Sequence, residues 1–224
     1  MSFLKRVAVF ADLDEDTLVR ISSLFKERHY KRSEIVFFEE DTGKYMYVVK
    51  KGRVKVSRLL PSGKEMILAF HESGESFGEM ALLDGGTSPA SVTAVVPTTI
   101  YVLSSSDFQN LLANQQINQA LLKALCQRCR DAWAQIEILT FHNADARVRT
   151  ALYQLCKKKG VEENGAIKID MRLTHKELAD ITGISRETAT RILSHLQAEE
   201  LIRVETRQFI IPDPDRLVEE LLFS

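Results

Sequence analysis

Four side chains near the C-terminal end of this 224-residue chain can do recognition chemistry: Arg186, Glu187, Thr190 and Arg191. Their spacing of i, i+1, i+4 and i+5 puts them on one face of a helix. A guanidinium presented there can donate two parallel hydrogen bonds to guanine O6 and N7, and a carboxylate can accept from cytosine N4. The carboxylate carries information, because beside phosphates it is unfavourable unless a base donor meets it. Thr174, Lys176, Ser185 and Thr188 flank this set and suit phosphate oxygens, partly through backbone amides at helix N-termini. The plainer alternative is that Arg186, Glu187 and Arg191 form a solvated i,i+4 ion-pair face.

The surrounding residues must position that face. Thr174-His175-Lys176-Glu177 has the pattern of a capping box, so a helix is expected to start there, with Leu178, Ala179 and Ile181 on its apolar side. Gly183 falls where that helix must end, since glycine accepts the left-handed conformation of a C-terminal cap. Ile184 is expected to plug the space between two helices, and Ser185 to cap the second, which runs through Ala189, Ile192, Leu193 and Leu196. Small Ala179 and Ala189 permit a close crossing. The segment from Thr174 to Glu199 thus meets the mechanical requirements of a helix-turn-helix. Leu201–Val204 and Gln208–Ile211 read as two short strands after it, which makes the motif winged. Upstream, Ala146 to Cys156 reads as a helix, and Lys157-Lys158-Lys159-Gly160 to Asn164-Gly165 as a polar loop.

The chain up to Ser104 has a different period. Ile35–Phe38, Met46–Val49, Val54–Val56, Met66–Phe70, Ser91–Val95 and Ile100–Leu103 are β-branched, aromatic or alternating, with turn signals between them. Many short strands predict an antiparallel barrel or jelly roll, preceded by a short helix from Asp14 to Phe25. Ser104 and Asp107 then resemble a capping box. From there to Asn143 there is neither proline nor glycine, consistent with a long helix after a break near Asn114. Leu122, Leu125, Cys129, Ala132, Ile136 and Leu139 alternate steps of three and four, an a/d seam over nearly three heptads. Such a stripe can face a core within one chain. A parallel two-stranded dimer is preferred, because two half-site readers follow from two-fold symmetry. The expected fold class is α+β: an N-terminal β-roll or jelly roll at residues 1–104, a dimerisation helix at 105–143, and a winged helix-turn-helix at 144–224.

Composition excludes more than it selects. A net charge of −1 lends nucleic-acid binding no support, so any such binding rests on local placement of charge. No apolar run approaches the roughly 20 residues that cross a bilayer, and no apolar leader follows Met1, so a cytoplasmic protein without membrane contact is expected. Three cysteines, Cys126, Cys129 and Cys156, do not suggest a disulfide framework. Cys126 and Cys129 form a C-x-x-C on the long helix without a second pair, so no metal site is expected. Cys129 lies on the seam, where it is either a small packing residue or a redox switch across a dimer. No nucleophile with its base, and no acid/base pair, can be assembled, which argues against an enzyme.

The stretch Gly183-Ile184-Ser185-Arg186-Glu187-Thr188-Ala189-Thr190-Arg191-Ile192-Leu193 resembles the signature helix of the Crp/Fnr regulators. Phe77-Gly78-Glu79-Met80-Ala81-Leu82-Leu83-Asp84 resembles the phosphate cassette of their cyclic-nucleotide-binding-type barrel. The resemblance spans essentially the whole chain and implies a homodimer on double-stranded DNA, bound to an inverted repeat with TGTGA-like half-sites, and RNA polymerase as a partner. It implies base reading by Arg186, Glu187 and Arg191, and an effector pocket around Phe77, Gly78, Glu79, Met80, Ser88 and Trp133. Where nucleotide-binding members carry an arginine for the cyclic phosphate, this chain has Ser88-Pro89, and a buried phosphate without that partner is unfavourable by several kcal/mol. Ala132 and Trp133 stand where polar residues meet the purine. Cyclic AMP is therefore not the expected effector. A four-cysteine iron–sulfur cluster is excluded by count. A cAMP-responsive regulator, a redox sensor, or a haem gas sensor using His71 remain alternatives, as does a sensing module that acts through protein contacts.

Overall fold

The computed structural model describes residues 3–219. They form two compact units, one ending at Arg130 and the other beginning at Asp131. The division falls inside the long helix. The expected separate helical segment at 105–143 is thus shared between the two units, because its first half supplies side chains to one core and its second half to the other.

In the first unit a 3-10 turn at Leu4–Arg6 precedes helix α1 (Glu15–Ser22). The Asp14 carboxylate accepts from the Thr17 N–H at 2.8 Å, so Asp14 caps the helix rather than opening it, and Ser23 ends it before the expected Phe25. Strands β1 (Lys26–Tyr30), β2 (Ile35–Phe37), β3 (Tyr45–Lys51), β4 (Arg53–Leu59), β5 (Glu65–Glu72) and β6 (Ser76–Phe77) follow. Helix α2 (Met80–Asp84), strands β7 (Ser91–Ala94) and β8 (Thr98–Ser104), and helix α3 (Ser105–Leu111) complete the series. Every pairing is antiparallel, in two four-stranded sheets ordered β1-β8-β3-β6 and β2-β7-β4-β5. This is the expected β-roll. Strand β1 carries no sequence signal, because four of its five residues are exposed and nothing alternates along Lys-Glu-Arg-His-Tyr.

Helix α4 (Gln115–Thr140) starts one residue after Asn114, whose side-chain oxygen accepts from the Gln116 and Ile117 N–H groups at 2.9 and 3.2 Å. The break near Asn114 is thus a helix cap. Ile117 and Leu121 are 1% and 3% exposed and pack with Phe10, Leu18, Met46, Leu103 and Phe108 in one apolar cluster.

The second unit contains helix α5 (Ala144–Lys159), strands β9 (Gly160–Glu163) and β10 (Ala166–Ile169), helices α6 (His175–Thr182) and α7 (Arg186–Ala198), and strands β11 (Arg203–Glu205) and β12 (Gln208–Ile211). One antiparallel sheet runs β11-β12-β10-β9. The expected polar loop after α5 is instead the β9–β10 hairpin. Its two-residue turn is Asn164-Gly165, with φ of 53° and 76°, the conformation that Asn-Gly adopts most readily. Leu201 and Ile202, expected in the wing strand, are buried ahead of it at 7% and 1% exposure. Arg149, only 4% exposed, donates to Asp145 at 2.5 Å and Glu199 at 3.1 Å and so ties α5 to the end of α7.

The wing hairpin makes the same kind of turn with unsuitable residues. Thr206 and Arg207 hold φ of 49° and 66°, both left-handed, between the paired Glu205 and Gln208. A β-branched residue in that region is disfavoured by about 1–2 kcal/mol. Replacing Thr206-Arg207 by Asn-Gly is expected to raise the thermal midpoint of the second unit in calorimetry of the full chain. A lower midpoint would show that the two side chains compensate the strain.

Candidate functional site

Helix α6 begins as the residue types require. The Thr174 hydroxyl accepts from the Glu177 N–H at 3.1 Å, and the Glu177 carboxylate accepts from the Thr174 N–H at 2.8 Å, so both halves of the capping box form. The helix ends at Gly183, with φ of 68°. A Cβ there would lie 3.4 Å from Leu139 Cδ2 and 3.6 Å from an Arg147 nitrogen, so backbone conformation, not space, demands glycine. Ala179 and Ala189, 1% and 0% exposed, bring α6 and α7 close. Ala189, Ile192, Leu193 and Leu196 are buried, which fixes the rotation of α7.

That rotation exposes Arg186, Glu187, Thr190 and Arg191 together. Arg186 and Arg191 enter no ion pair among the described residues, so the four side chains are not locked into a self-paired surface. Ser185 caps α7 by accepting from the Thr188 N–H at 3.1 Å. Glu187's own backbone N–H and the Ser185 hydroxyl hold its carboxyl below the usual carboxylate range. Of the flanking residues, Lys176 is bonded to the buried carboxylate of Asp180 one turn on, and the Thr174 hydroxyl is engaged with Glu177. Two residues outside the sequence reading join the site. His175 Nδ1 lies 2.9 Å from the Thr190 hydroxyl and orients it, and Arg207 stands exposed at the wing turn. Neither carries a periodic signal; only the fold reveals them.

Helix α4 holds this domain from behind. Gln135 donates to the Ile181 carbonyl at 2.6 Å and Arg147 to the Phe141 carbonyl at 2.6 Å, so orphan carbonyls at the ends of α6 and α4 are satisfied by side chains. On another face of α4 the heptad-spaced residues are exposed or half-buried. Leu122 and Ile136 are 62% and 59% exposed, Cys129 and Ala132 are exposed, and Leu125 and Leu139 are half-buried. Trp133, expected near an effector, is 69% exposed. Cys126 is exposed as well, whereas burial pushes the Cys156 thiol up to about 11.

In the first unit Phe77 and Glu79 are 2% exposed, and Met80 is 42% exposed. Gly78 takes φ of 83°, and a Cβ there would sit 2.7 Å from the Tyr47 ring, so this position must be glycine. Arg128 of α4 pairs with the Glu79 carboxylate and donates to the Ser76 carbonyl at 2.6 Å. The second Glu79 oxygen, Oε2, is buried without a hydrogen-bond partner among the described residues. His71 stacks on Phe77, ring centroids 5.5 Å apart, and its Nδ1 is 3.4 Å from Glu75. A cavity of about 350 Å³ opens beside this segment, and Gly78 and Ser88 line it. No group of three metal-ligating side chains occurs among the described residues, and none of their helices is long and apolar enough to cross a membrane.

Thr174→Ala removes half of the capping box and is expected to lower stability by about 1 kcal/mol. Gly183→Val is expected to lower it by about 1–2 kcal/mol through backbone strain. Denaturation of the full chain measures both, and a Gly183→Val protein as stable as the parent would contradict the left-handed cap. Glu187 keeps its lowered pKa only while folded, so its small stabilising effect holds above the ordinary carboxylate range and is lost as pH falls through the folded value. A pH titration followed by NMR should therefore find the Glu187 carboxylate ionised throughout about pH 6 to about pH 8.

A family model for the cyclic nucleotide-binding domain matches residues 27–115, and one for the Crp-like helix-turn-helix domain matches residues 146–220. The cyclic AMP receptor protein of Thermus thermophilus is 32% identical over 227 residues, covering 99% of each chain. A CRP-like cAMP-activated global transcriptional regulator of Mycobacterium tuberculosis is 27% identical over 215 residues, 96% of each. The solved structure of a CooA mutant from Carboxydothermus hydrogenoformans shares the fold with a TM-score of 0.80 at 23% identity, covering 97% of this chain and 94% of that one. Two domain matches in this order, and a full-length relative at that identity, place the chain in the Crp/Fnr family of DNA-binding transcription regulators.

Proposed function

We propose that this regulator acts in the cytoplasm as a homodimer on an inverted repeat with TGTGA-like half-sites, that RNA polymerase is its partner at promoters, and that its effector is not cyclic AMP. The observation that carries the DNA reading is the exposed set of Arg186, Glu187, Thr190 and Arg191 on the first turns of α7, with no ion pair at either arginine among the described residues. In that arrangement Arg186 and Arg191 reach guanines and Glu187 a cytosine. Thr174, Lys176, Ser185 and Thr188 surround it for phosphate contacts, Lys176 exchanging Asp180 for a phosphate oxygen.

Dimerisation is supported by the heptad-spaced face of α4. Leu122, Cys129, Ala132 and Ile136 repeat at heptad spacing and are exposed in a single chain, an arrangement that a second copy of the helix would bury. Ile136→Asp is expected to give a monomer by sedimentation, and a dimer retained in that variant would assign the interface elsewhere.

Three features argue against cyclic AMP. Pro89 has neither a cation nor an N–H, Ser88 is 7% exposed, and Arg128 already occupies one oxygen of Glu79. The relatives named for cyclic AMP favour the opposite reading, and the orphan Glu79 oxygen would accept a ribose hydroxyl. Calorimetry separates the two, with low-micromolar cyclic AMP binding sinking the present proposal. A Soret band in the purified protein would instead point to haem at His71. The DNA reading has its own test. Arg191→Ala is expected to weaken binding to the inverted-repeat duplex by about 10- to 100-fold, since a bidentate arginine–guanine contact is worth about 1–3 kcal/mol. Binding to an unrelated duplex should change much less. Equal loss on both duplexes would mean that Arg191 meets only phosphate.

A further inference from the structure

The cavity in the barrel is lined mostly by residues outside the cassette, with Gly78 of the cassette in its wall. Phe37, Tyr45 and Tyr47 supply its aromatic wall, and Arg28, Lys44 and Asp41 its charged rim. Tyr47 is 6% exposed and held rigidly, stacked on Phe77 at 5.1 Å and 8° and set against Phe37 at 5.2 Å. The Arg28 guanidinium lies over the Tyr45 ring, 4.5 Å from its centroid, which holds the cation at the cavity mouth. Asp41 is tied back, accepting from the Phe38 N–H at 2.9 Å. Two cations against one carboxylate leave a single positive charge. An aromatic-walled cavity of about 350 Å³ falls within the size range of small-molecule sites.

We propose that this cavity binds a small aromatic monocarboxylate, its ring against Phe37 and Tyr45 and its carboxylate at Arg28 and Lys44. A guanidinium suits a planar carboxylate bidentately, and the net charge of the rim matches one negative charge rather than two. The floor connects to the long helix. The Ser88 N–H donates to the Asp41 carbonyl and the Glu40 N–H to the Ser88 carbonyl, both at 2.8 Å, so the rim loop is laced to the segment that follows the cassette. Gly78, in the wall, directly precedes the Glu79 that Arg128 holds. Only the regulatory consequence rests on the DNA-binding reading; the binding does not.

The probe is naphthalene carboxylate, titrated by calorimetry into the full chain, with naphthol and naphthyl phosphate as neutral and dianionic comparisons. The carboxylate is expected to bind, and Arg28→Ala to weaken it about tenfold. Arg28→Lys should recover part of the loss. Naphthol should bind about tenfold more weakly than the carboxylate. Absence of binding, binding indifferent to Arg28→Ala, naphthol as tight as the carboxylate, or the phosphate tighter than both would each overturn the proposal. Inverted-repeat DNA binding, measured on the same Arg28→Ala protein, is expected to persist, which keeps a failure here apart from a failure of the DNA reading.

Discussion

One helix has to satisfy two demands that its period keeps apart. With 3.6 residues per turn, α4 can point Ile117, Leu121 and Ile138 inward, at 1%, 3% and 3% exposure, while Leu122 and Ile136 emerge on another side. The inward set anchors the helix within its own chain. The outward set repeats at three and four, a pattern that costs solubility unless something covers it. Polar residues between the two stripes do the fastening: Arg128 to Glu79 and Ser76, and Gln135 to the end of α6. Within each unit, a rotation of its part of α4 by one position would break that unit's contacts. Each part of the helix is therefore held in its own unit by several small contributions.

The Glu79–Arg128 pair is the expensive part of that arrangement. Burying a carboxylate at 2% exposure is unfavourable by several kcal/mol unless its partner is well placed. Here one oxygen is matched and the other is not. A hydrophobic pair would be at least as stable, so the pair is better understood as fixing register than as adding stability. Its incomplete satisfaction also leaves this junction sensitive to whatever changes the cassette backbone.

The helix-turn-helix was legible in the sequence because its determinants are local. A cap needs Thr174 and Glu177 three residues apart, a left-handed turn needs Gly183, and a close crossing needs Ala179 and Ala189; each leaves a mark on residue type at fixed spacing. The β-roll was legible in its inner strands, where burial enforces alternation. Strand β1 was not, since its residues are mostly exposed and its place is set by pairing with β8 some 70 residues on, as with His29 and Thr99. The β9–β10 hairpin was missed although Asn164-Gly165 is a strong turn signal, because Val161-Glu162-Glu163 lacks an apolar pattern around it. The cavity lay furthest from view. Arg28, Tyr45 and Ser88 come from three distant stretches, and no spacing rule relates them.

An effector in the barrel can alter DNA affinity only through a difference in its free energy of interaction with two states of the protein. A ligand deep in a rigid core would meet the same walls in both. The described cavity is different, because its rim loop is laced to Ser88 and its wall includes Gly78, the residue adjacent to the Arg128 contact. Gly78 is already in a left-handed conformation against the Tyr47 ring, with no room for a side chain. A ligand seated beside Tyr47 would act on that glycine, and through Glu79 on its pair with Arg128. A coupling free energy of about 1–3 kcal/mol is what such a link has to supply, and the partly unsatisfied Glu79–Arg128 pair has energy of that order at stake.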